Sequence, residues 1–320
     1  MIAEGRTGSF AAAAVLAGLA LLSSASLHSQ SQPARRAVRL RTLGPGGNMY
    51  VLLDGGGNSL VMSRPDNAVL IDGKSAGWGR AILDAVDALT DKPVTIIINT
   101  SGDPEHVGGN VEITTATQIV AHQNAKAAME KLDAFKGAGA KFLPNKIVTD
   151  RLSLLEDTPD RIDLYYFGPA HTNGDLAVVF PAKRIAYLGD LFPSKGVPAI
   201  DVANGGSAVA FAQTVARAAA EISGVRTVIT GHPEGVDTQR SASAVSTDIS
   251  TPRTMTWTDF QEFAEFSRDL LAVVRESFTA GKTAAETAAA LKLPAKYAAY
   301  DLTQARVYID AVYKELGSPR

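Results

Sequence analysis

Cysteine is absent from this chain of 320 residues. Without it, disulfides, thiolate nucleophiles, thiolate metal ligands and a lipid-anchoring cysteine are all excluded. A charge excess of one sign is also lacking, because 31 Lys and Arg residues stand against 33 Asp and Glu residues, for a net charge of −2. The net charge therefore creates no electrostatic field that would favour nucleic acid or an anionic membrane as a partner. Any metal site must be built from His, Asp and Glu.

A long hydrophobic run is missing as well. Residues 10–22 are all apolar or glycine, and this run is shorter than the roughly 20 residues that a transmembrane helix needs. Arg6 before it and Ser23-Ser24-Ala25 after it match a secretory signal peptide. We therefore expect a leader over 1–30, a linker over 31–37 and export to a periplasm or the exterior. The alternatives are a buried N-terminal helix or an uncleaved anchor.

The rest of the chain alternates strand and helix patterns. Short apolar runs broken by glycine predict hairpins over 38–72, and the β-branched run Val94–Ile98 predicts a strand that is buried on both faces. This alternation indicates a layered α/β domain over 38–250. After 251 the strand patterns disappear, and the pair Thr258 and Gln261 predicts the start of a helix. We expect a helical C-terminal extension over 251–320.

Four loops that follow predicted strands carry imidazoles or carboxylates. They contain His106, His171, Asp190 and His232. Because ligand sites in α/β sheets gather beyond the carboxyl ends of strands, we expect these side chains to converge. Three or four such ligands, with one position left for water, suit a divalent metal and predict hydrolytic chemistry. His122 has no carboxylate close in the sequence and is interpreted as structural.

At these loops the chain resembles the metallo-β-lactamase-fold hydrolase superfamily, in particular exported members with a helical C-terminal extension. The supporting segments are VLIDG at 69–73, NTSGDPEHVGGN at 99–110, GPAHTNGD at 168–175, AYLGDLF at 186–192, IDVANGG at 200–206 and VITGHPEG at 228–235. The resemblance implies an αβ/βα four-layer sandwich with a site for one or two metal ions. It also implies hydrolysis of lactams, lactones, thioesters or phosphoesters.

The first metal motif departs from the family pattern T-H-x-H-x-D-H-x-G-G. Ser101 and Asp103 stand at the two leading histidines, and Glu105 stands at the aspartate. By resemblance, one half-site contains Glu105, His106 and His232 with Asp190 bridging. The other keeps His171 and Asp190, with Asp103 as an oxygen ligand and Ser101 as a poor one. We expect one tightly held ion, zinc by resemblance, with the carboxylates shifting preference towards manganese or iron.

Two functions remain open from the sequence. The first is an exported metallo-hydrolase of a small-molecule ester, lactone, thioester or lactam, in which Asp103 or Glu105 moves the proton and Asp72 and Thr172 orient the ligands. The second is a binding protein of the same fold that has lost turnover along with two imidazoles. After leader cleavage we expect no stable membrane anchor and no nucleic-acid partner. The oligomeric state has no sequence signal.

Overall fold

The computed structural model describes residues 36–43, 47–232 and 254–317. The predicted leader, most of the predicted linker and the boundary at residue 251 lie outside the described residues. The predictions on these segments therefore stay predictions. Among the described helices, none combines the length and the apolar character that crossing a membrane requires.

The first sheet has seven strands in chain order, antiparallel from β1 to β4 and parallel from β4 to β7. Its strands are β1 (Arg39–Thr42), β2 (Met49–Leu53), β3 (Ser59–Ser63), β4 (Ala68–Ile71), β5 (Val94–Ile98), β6 (Gln118–His122) and β7 (Lys146–Val148). The helices α1 (Gly79–Asp87), α2 (Pro104–Val107) and α3 (Gln123–Met129) connect the parallel strands. The carboxyl ends of the parallel strands β4 to β7 therefore lie at the same edge of the sheet.

The second sheet has six strands in the order β13-β12-β11-β10-β9-β8, with β11 and β12 parallel. Its strands are β8 (Arg151–Leu154), β9 (Ile162–Tyr166), β10 (Leu176–Phe180), β11 (Ile185–Tyr187), β12 (Thr227–Ile229) and β13 (Met255–Thr256). The expectation that strands end before 251 is wrong, because β13 pairs with β12. A strand of two residues has no periodicity, so only its pairing reveals it.

The two sheets pack face to face, with helices on both outer faces. One apolar cluster lies between the sheets and includes Val69, Ile98, Val178 and Tyr187. A second cluster packs α1 against the outer face of the first sheet. A third packs α4 (Ala208–Glu221) and the C-terminal helices against the second sheet. These layers are the predicted αβ/βα sandwich.

The C-terminal region contains α5 (Trp257–Thr279), α6 (Ala284–Ala289) and α7 (Ala305–Leu316). The capping box of α5 uses Thr256 and Asp259, which lie two residues before the predicted pair Thr258 and Gln261. A capping box formed by Thr283 and Glu286 opens α6. Three phenylalanines of α5 are buried in the apolar cluster that packs against the second sheet. They are Phe260, Phe263 and Phe266.

Candidate metal centre

The six residues that the sequence analysis proposed as metal ligands lie in loops that follow β5 of the first sheet and β9, β11 and β12 of the second. The structure brings these loops together. The six residues form two groups, within each of which the candidate ligand atoms lie within 4.8 Å of one another. The first group is Glu105, His106 and His232, and the second group is Asp103, His171 and Asp190. Residues separated by more than 120 positions therefore meet at one place. This convergence is the arrangement that sequence-distant ligands on a sheet edge require.

The carboxylate of Asp190 joins the two groups. Its Oδ2 lies 3.1 Å from His106 Nε2 and 3.9 Å from His171 Nε2, and its Oδ1 lies 3.1 Å from His232 Nε2. In the first group, His232 Nε2 also lies 3.6 Å from Glu105 Oε1. Asp190 is thus placed between the imidazoles of both groups, which is where a bridging ligand has to lie.

The second group differs in character, because it contains one imidazole and two carboxylates. His171 Nε2 lies 2.6 Å from Asp103 Oδ2, and His171 Nδ1 donates to the carbonyl oxygen of Ala199 at 2.9 Å. Ser101 is buried, and its hydroxyl oxygen accepts from the backbone N–H of Asp103 at 3.3 Å. This half of the site therefore offers mainly oxygen ligands, which favour harder cations than a set of imidazoles does.

Asp72 fixes the orientation of the imidazole in the first group. It follows β4 with φ of 60°, and its Oδ2 lies 2.9 Å from His106 Nδ1. Its carboxylate also accepts hydrogen bonds from the backbone N–H and the hydroxyl of Thr100 at 2.8 and 2.6 Å. A carboxylate on Nδ1 leaves Nε2 of the same ring to face Asp190. Asp72 thus contacts the ring that the sequence analysis expected it to orient, and the orienting role itself stays a prediction.

Glycines allow the loops that carry these ligands to approach closely. A Cβ on Gly57 would lie 2.5 Å from Cε1 of His106, and a Cβ on Gly231 would lie 2.5 Å from the carbonyl carbon of Gly189. The second pair brings the backbone before His232 against the backbone before Asp190. No residue larger than glycine fits at either position without moving a ligand.

Buried charges of opposite sign dominate the electrostatics of the site. Burial alone lowers the pKa of His106, but the carboxylates of Asp190 and Asp72 outweigh it and raise that pKa well above its ordinary value. The pKa of His171 is raised in the same way, against burial, by Asp190 and Asp103. For Asp190, burial raises the pKa, yet His106 and His171 hold it well below its usual range. The site therefore stabilises positive charge at its centre.

The site also contains buried polar atoms that lack a hydrogen-bond partner within the chain. Among the described residues these include His106 Nε2, Asp103 Oδ1 and Asp190 Oδ2, all at this one place. Buried polar atoms normally find a partner, because leaving one unpaired costs free energy. One imidazole nitrogen and two carboxylate oxygens are suitable ligands for a divalent cation. The residues present therefore fit the metal that the sequence predicted.

Sequence reasoning missed three buried groups around the site. Lys74 is fully buried, and its Nζ donates to the carbonyl oxygens of Leu52 at 2.9 Å and Gly57 at 2.8 Å. The hydroxyl of Tyr187 lies 3.1 Å from Asp72 Oδ2. Asp175 accepts from the hydroxyl of Thr172, and its burial, with Asp190 adding to it, raises its pKa to about 7. The hydroxyl of the predicted orienting residue Thr172 thus bonds to Asp175 and to the backbone N–H of Gly174 rather than to a candidate ligand.

Comparison with known proteins agrees with the αβ/βα sandwich described above. A hydroxyacylglutathione hydrolase of Erythrobacter litoralis is 28% identical over 137 residues, which are 42% of this chain and 43% of that protein. The chain thus spans less than half the length of this curated relative.

Two solved structures share the fold at low identity. The sec-alkylsulfatase Pisa1 from Pseudomonas sp. matches with a TM-score of 0.65 and 15% identity, over 87% of this chain and 50% of that one. The metallo-β-lactamase FIM-1 from Pseudomonas aeruginosa, solved in a mono-zinc form, matches with a TM-score of 0.53 and 14% identity, over 73% and 98%. The model of the metallo-β-lactamase superfamily matches residues 52–242, more than half of the chain. The chain therefore belongs to the metallo-β-lactamase superfamily.

Proposed function

We propose that this protein is an exported metal-dependent hydrolase of a small-molecule ester, thioester, lactone or lactam. The observation that carries the proposal is the convergence of the first and second groups on Asp190, with unpartnered imidazole and carboxylate atoms facing the centre. The relatives support the reaction class, because their names describe a hydroxyacylglutathione hydrolase, a sec-alkylsulfatase and a metallo-β-lactamase. The substrate itself is left to the assay below.

The first group and Asp190 would hold the tightly bound cation. They supply two imidazole nitrogens and two carboxylates, whereas the second group supplies one imidazole and two carboxylates. A divalent cation bound here polarises a substrate carbonyl oxygen and lowers the pKa of water in the site. Zinc fits the first group, and the number of carboxylates moves the preference towards manganese or iron(II).

Acid and base roles fall to the carboxylates that face the centre. Asp103 Oδ2 is held by His171, whereas Asp103 Oδ1 has no hydrogen-bond partner among the described residues and is placed to take a proton from water. The side chain of Glu105 is 35% exposed, so it is placed to pass a proton between the site and solvent. His171 Nε2, which lies beside Asp103 Oδ2, is assigned to support either the cation or the developing oxyanion of the substrate.

The test combines metal analysis with a panel of chromogenic ester, thioester, lactone, β-lactam and alkyl sulfate substrates. We expect turnover of at least one substrate by the metal-loaded protein, and loss of both turnover and bound metal in His232→Ala. His122→Gln is the matched control, because His122 stacks on Tyr166 and belongs to neither group. No turnover across the panel with metal fully loaded would instead favour a binding protein that retains the fold.

Export is tested separately, since it rests on the leader sequence alone. We expect the mature chain to begin between residues 26 and 38 when the full gene product is expressed in a Gram-negative host. N-terminal sequencing of the periplasmic fraction measures this directly. Recovery of uncleaved protein in the cytoplasmic fraction would contradict export and would leave the hydrolase proposal standing.

A further inference from the structure

One loop holds both the ring and the backbone of His171. This loop, residues 193–201, runs from the end of the Asp190 segment to a short 3-10 helix at Val202–Asn204. The carbonyl oxygen of Ala199 accepts from His171 Nδ1 at 2.9 Å, and the backbone N–H of Asp201 donates to the carbonyl oxygen of His171 at 2.8 Å. Because Nδ1 is used in this way, Nε2 faces the carboxylates of the second group.

The other side of the same loop is bound to the C-terminal helical region. The backbone N–H of Asp301 donates to the carbonyl oxygen of Lys195 at 3.0 Å, and the N–H of Val197 donates to the carbonyl oxygen of Asp301 at 2.9 Å. In addition, Lys195 Nζ lies 2.7 Å from Asp259 Oδ1, on the first turn of α5. The loop is thus joined to the C-terminal region by two backbone hydrogen bonds and by the ion pairs of Lys195 with Asp259 and, at 4.0 Å, with Glu262.

The loop packs closely against Asp301, and few residues separate this contact from the Ala199 carbonyl that binds His171. A Cβ on Gly196 would lie 3.1 Å from the carbonyl oxygen of Asp301, which is closer than an ordinary contact. Only Pro198 separates Val197 from Ala199, and proline fixes φ near −65° while also restricting the residue before it. The backbone between Val197 and Ala199 therefore has little conformational freedom. A displacement of residues 195–197 would move the Ala199 carbonyl as well.

We infer that the C-terminal helical region is a positioning element for His171, acting through the 193–201 loop, and that Lys195 is a positioning residue. Apolar packing holds only part of the loop, because Val197 lies in the apolar cluster shared with the C-terminal helices whereas Lys195 is half-buried and Ala199 is exposed. The ion pair and the Asp301 bonds fix where the Ala199 carbonyl stands relative to the imidazole. The second group therefore depends on residues about 130 positions away in the chain.

The inference is tested by NMR of the full chain labelled with isotopes in histidine alone, since there are only five histidines. The variants are Lys195→Met, which keeps the aliphatic stem, and Gly196→Ala, which pushes on Asp301 directly. We expect the hydrogen-bonded Nδ1 proton of His171 to move upfield in both variants as its bond to Ala199 lengthens. Lys195→Arg should restore its position, and the signals of His106, His122 and His232 should stay unchanged.

Lys296→Met is the matched control, because Lys296 forms a 2.7 Å ion pair with Glu265 within the same region and does not touch the loop. If the His171 signal stays at its wild-type position in both test variants, the inference is overturned, whatever happens to the melting temperature. If Gly196→Ala does not fold, Lys195→Met alone tests the inference. We expect this variant to fold, because the side chain of Lys195 is partly exposed. The inference deepens the proposed function, yet the readout does not need turnover: an inactive protein with a Lys195-dependent His171 signal would refute the function alone.

Discussion

At the scale of single residues, the orientation of His106 depends on one buried carboxylate. Asp72 contacts Nδ1 of the ring and is itself held by Thr100. Asp72→Asn keeps the size of the side chain but offers an amide where a carboxylate was. We expect metal affinity to fall about 10- to 100-fold, the range found when such an orienting partner is lost. Metal competition titration measures this, and Asp91→Asn, on a largely exposed side chain, should leave affinity unchanged.

A second prediction concerns the pH dependence of stability through Lys74. Burial lowers the pKa of Lys74 to about 7, against the nearby carboxylates of Asp54 and Asp72. Between pH 7 and the unfolded value near 10.5, the unfolded chain binds a proton that the folded chain does not. Stability from this group therefore rises with pH across that window.

Lys74→Met removes the titrating group and provides the comparison. From pH 7.5 to 9.5 the free energy of unfolding of the wild type should rise relative to Lys74→Met by on the order of 2 kcal/mol. Urea denaturation at several pH values measures the difference. If the difference in unfolding free energy between the wild type and Lys74→Met stays constant or decreases over this pH range, Lys74 is charged inside the folded protein.

The candidate ligands could be found from the sequence, because each follows a strand whose apolar pattern is visible. Lys74 and Tyr187 could not. Their partners are residues 22 and 115 positions away, respectively, so nothing local distinguishes them from an exposed lysine or a core tyrosine. Thr172 was nominated because it follows His171, yet its contact with Asp175 depends on a turn that the sequence pattern does not specify.

At the scale of elements, α5 carries much of the packing of the C-terminal region. Phe263 is fully buried, with ring centroids 4.8 Å from Phe192 and 6.1 Å from Phe211. We expect Phe263→Ala to lower the free energy of unfolding by about 3 to 5 kcal/mol, because it leaves a cavity between α5, α4 and the loop after Asp190. Val307→Ala, on the exposed side of α7, should change it by less than about 0.5 kcal/mol. Equal effects in thermal unfolding would contradict this packing.

Elements with a strong pattern were predictable and short ones were not. The strand Val94–Ile98 matches its predicted bounds, because its β-branched run marks a strand that is buried on both faces. The strand Arg151–Leu154 was missed, since its alternation of polar and apolar residues covers only four positions and only its last residue is buried. The start of α5 was misplaced because Thr256 and Thr258 both precede acceptable partners, and only the observed hydrogen bonds distinguish them.

At the scale of the whole molecule, the two groups differ in how many imidazoles they supply. Restoring the family pattern with the double substitution Ser101→His and Asp103→His adds two imidazoles beside His171. Because nitrogen-rich sites favour zinc over harder ions, we expect the variant to bind a second zinc ion that the wild type holds weakly. Zinc titration with a chromophoric competitor measures both equivalents. A variant that still binds one equivalent would contradict the proposed deficiency of the second group.

The central claim is that the first group, with Asp190, holds a divalent cation. Element-resolved metal analysis of the purified chain tests it most directly, carried out in parallel on the wild type, His232→Ala and His122→Gln. The account predicts close to one tightly bound divalent ion per chain in the wild type and in His122→Gln, and its loss in His232→Ala. A wild type that retains no divalent ion after loading and desalting, or a His232→Ala variant that retains its ion, would contradict it.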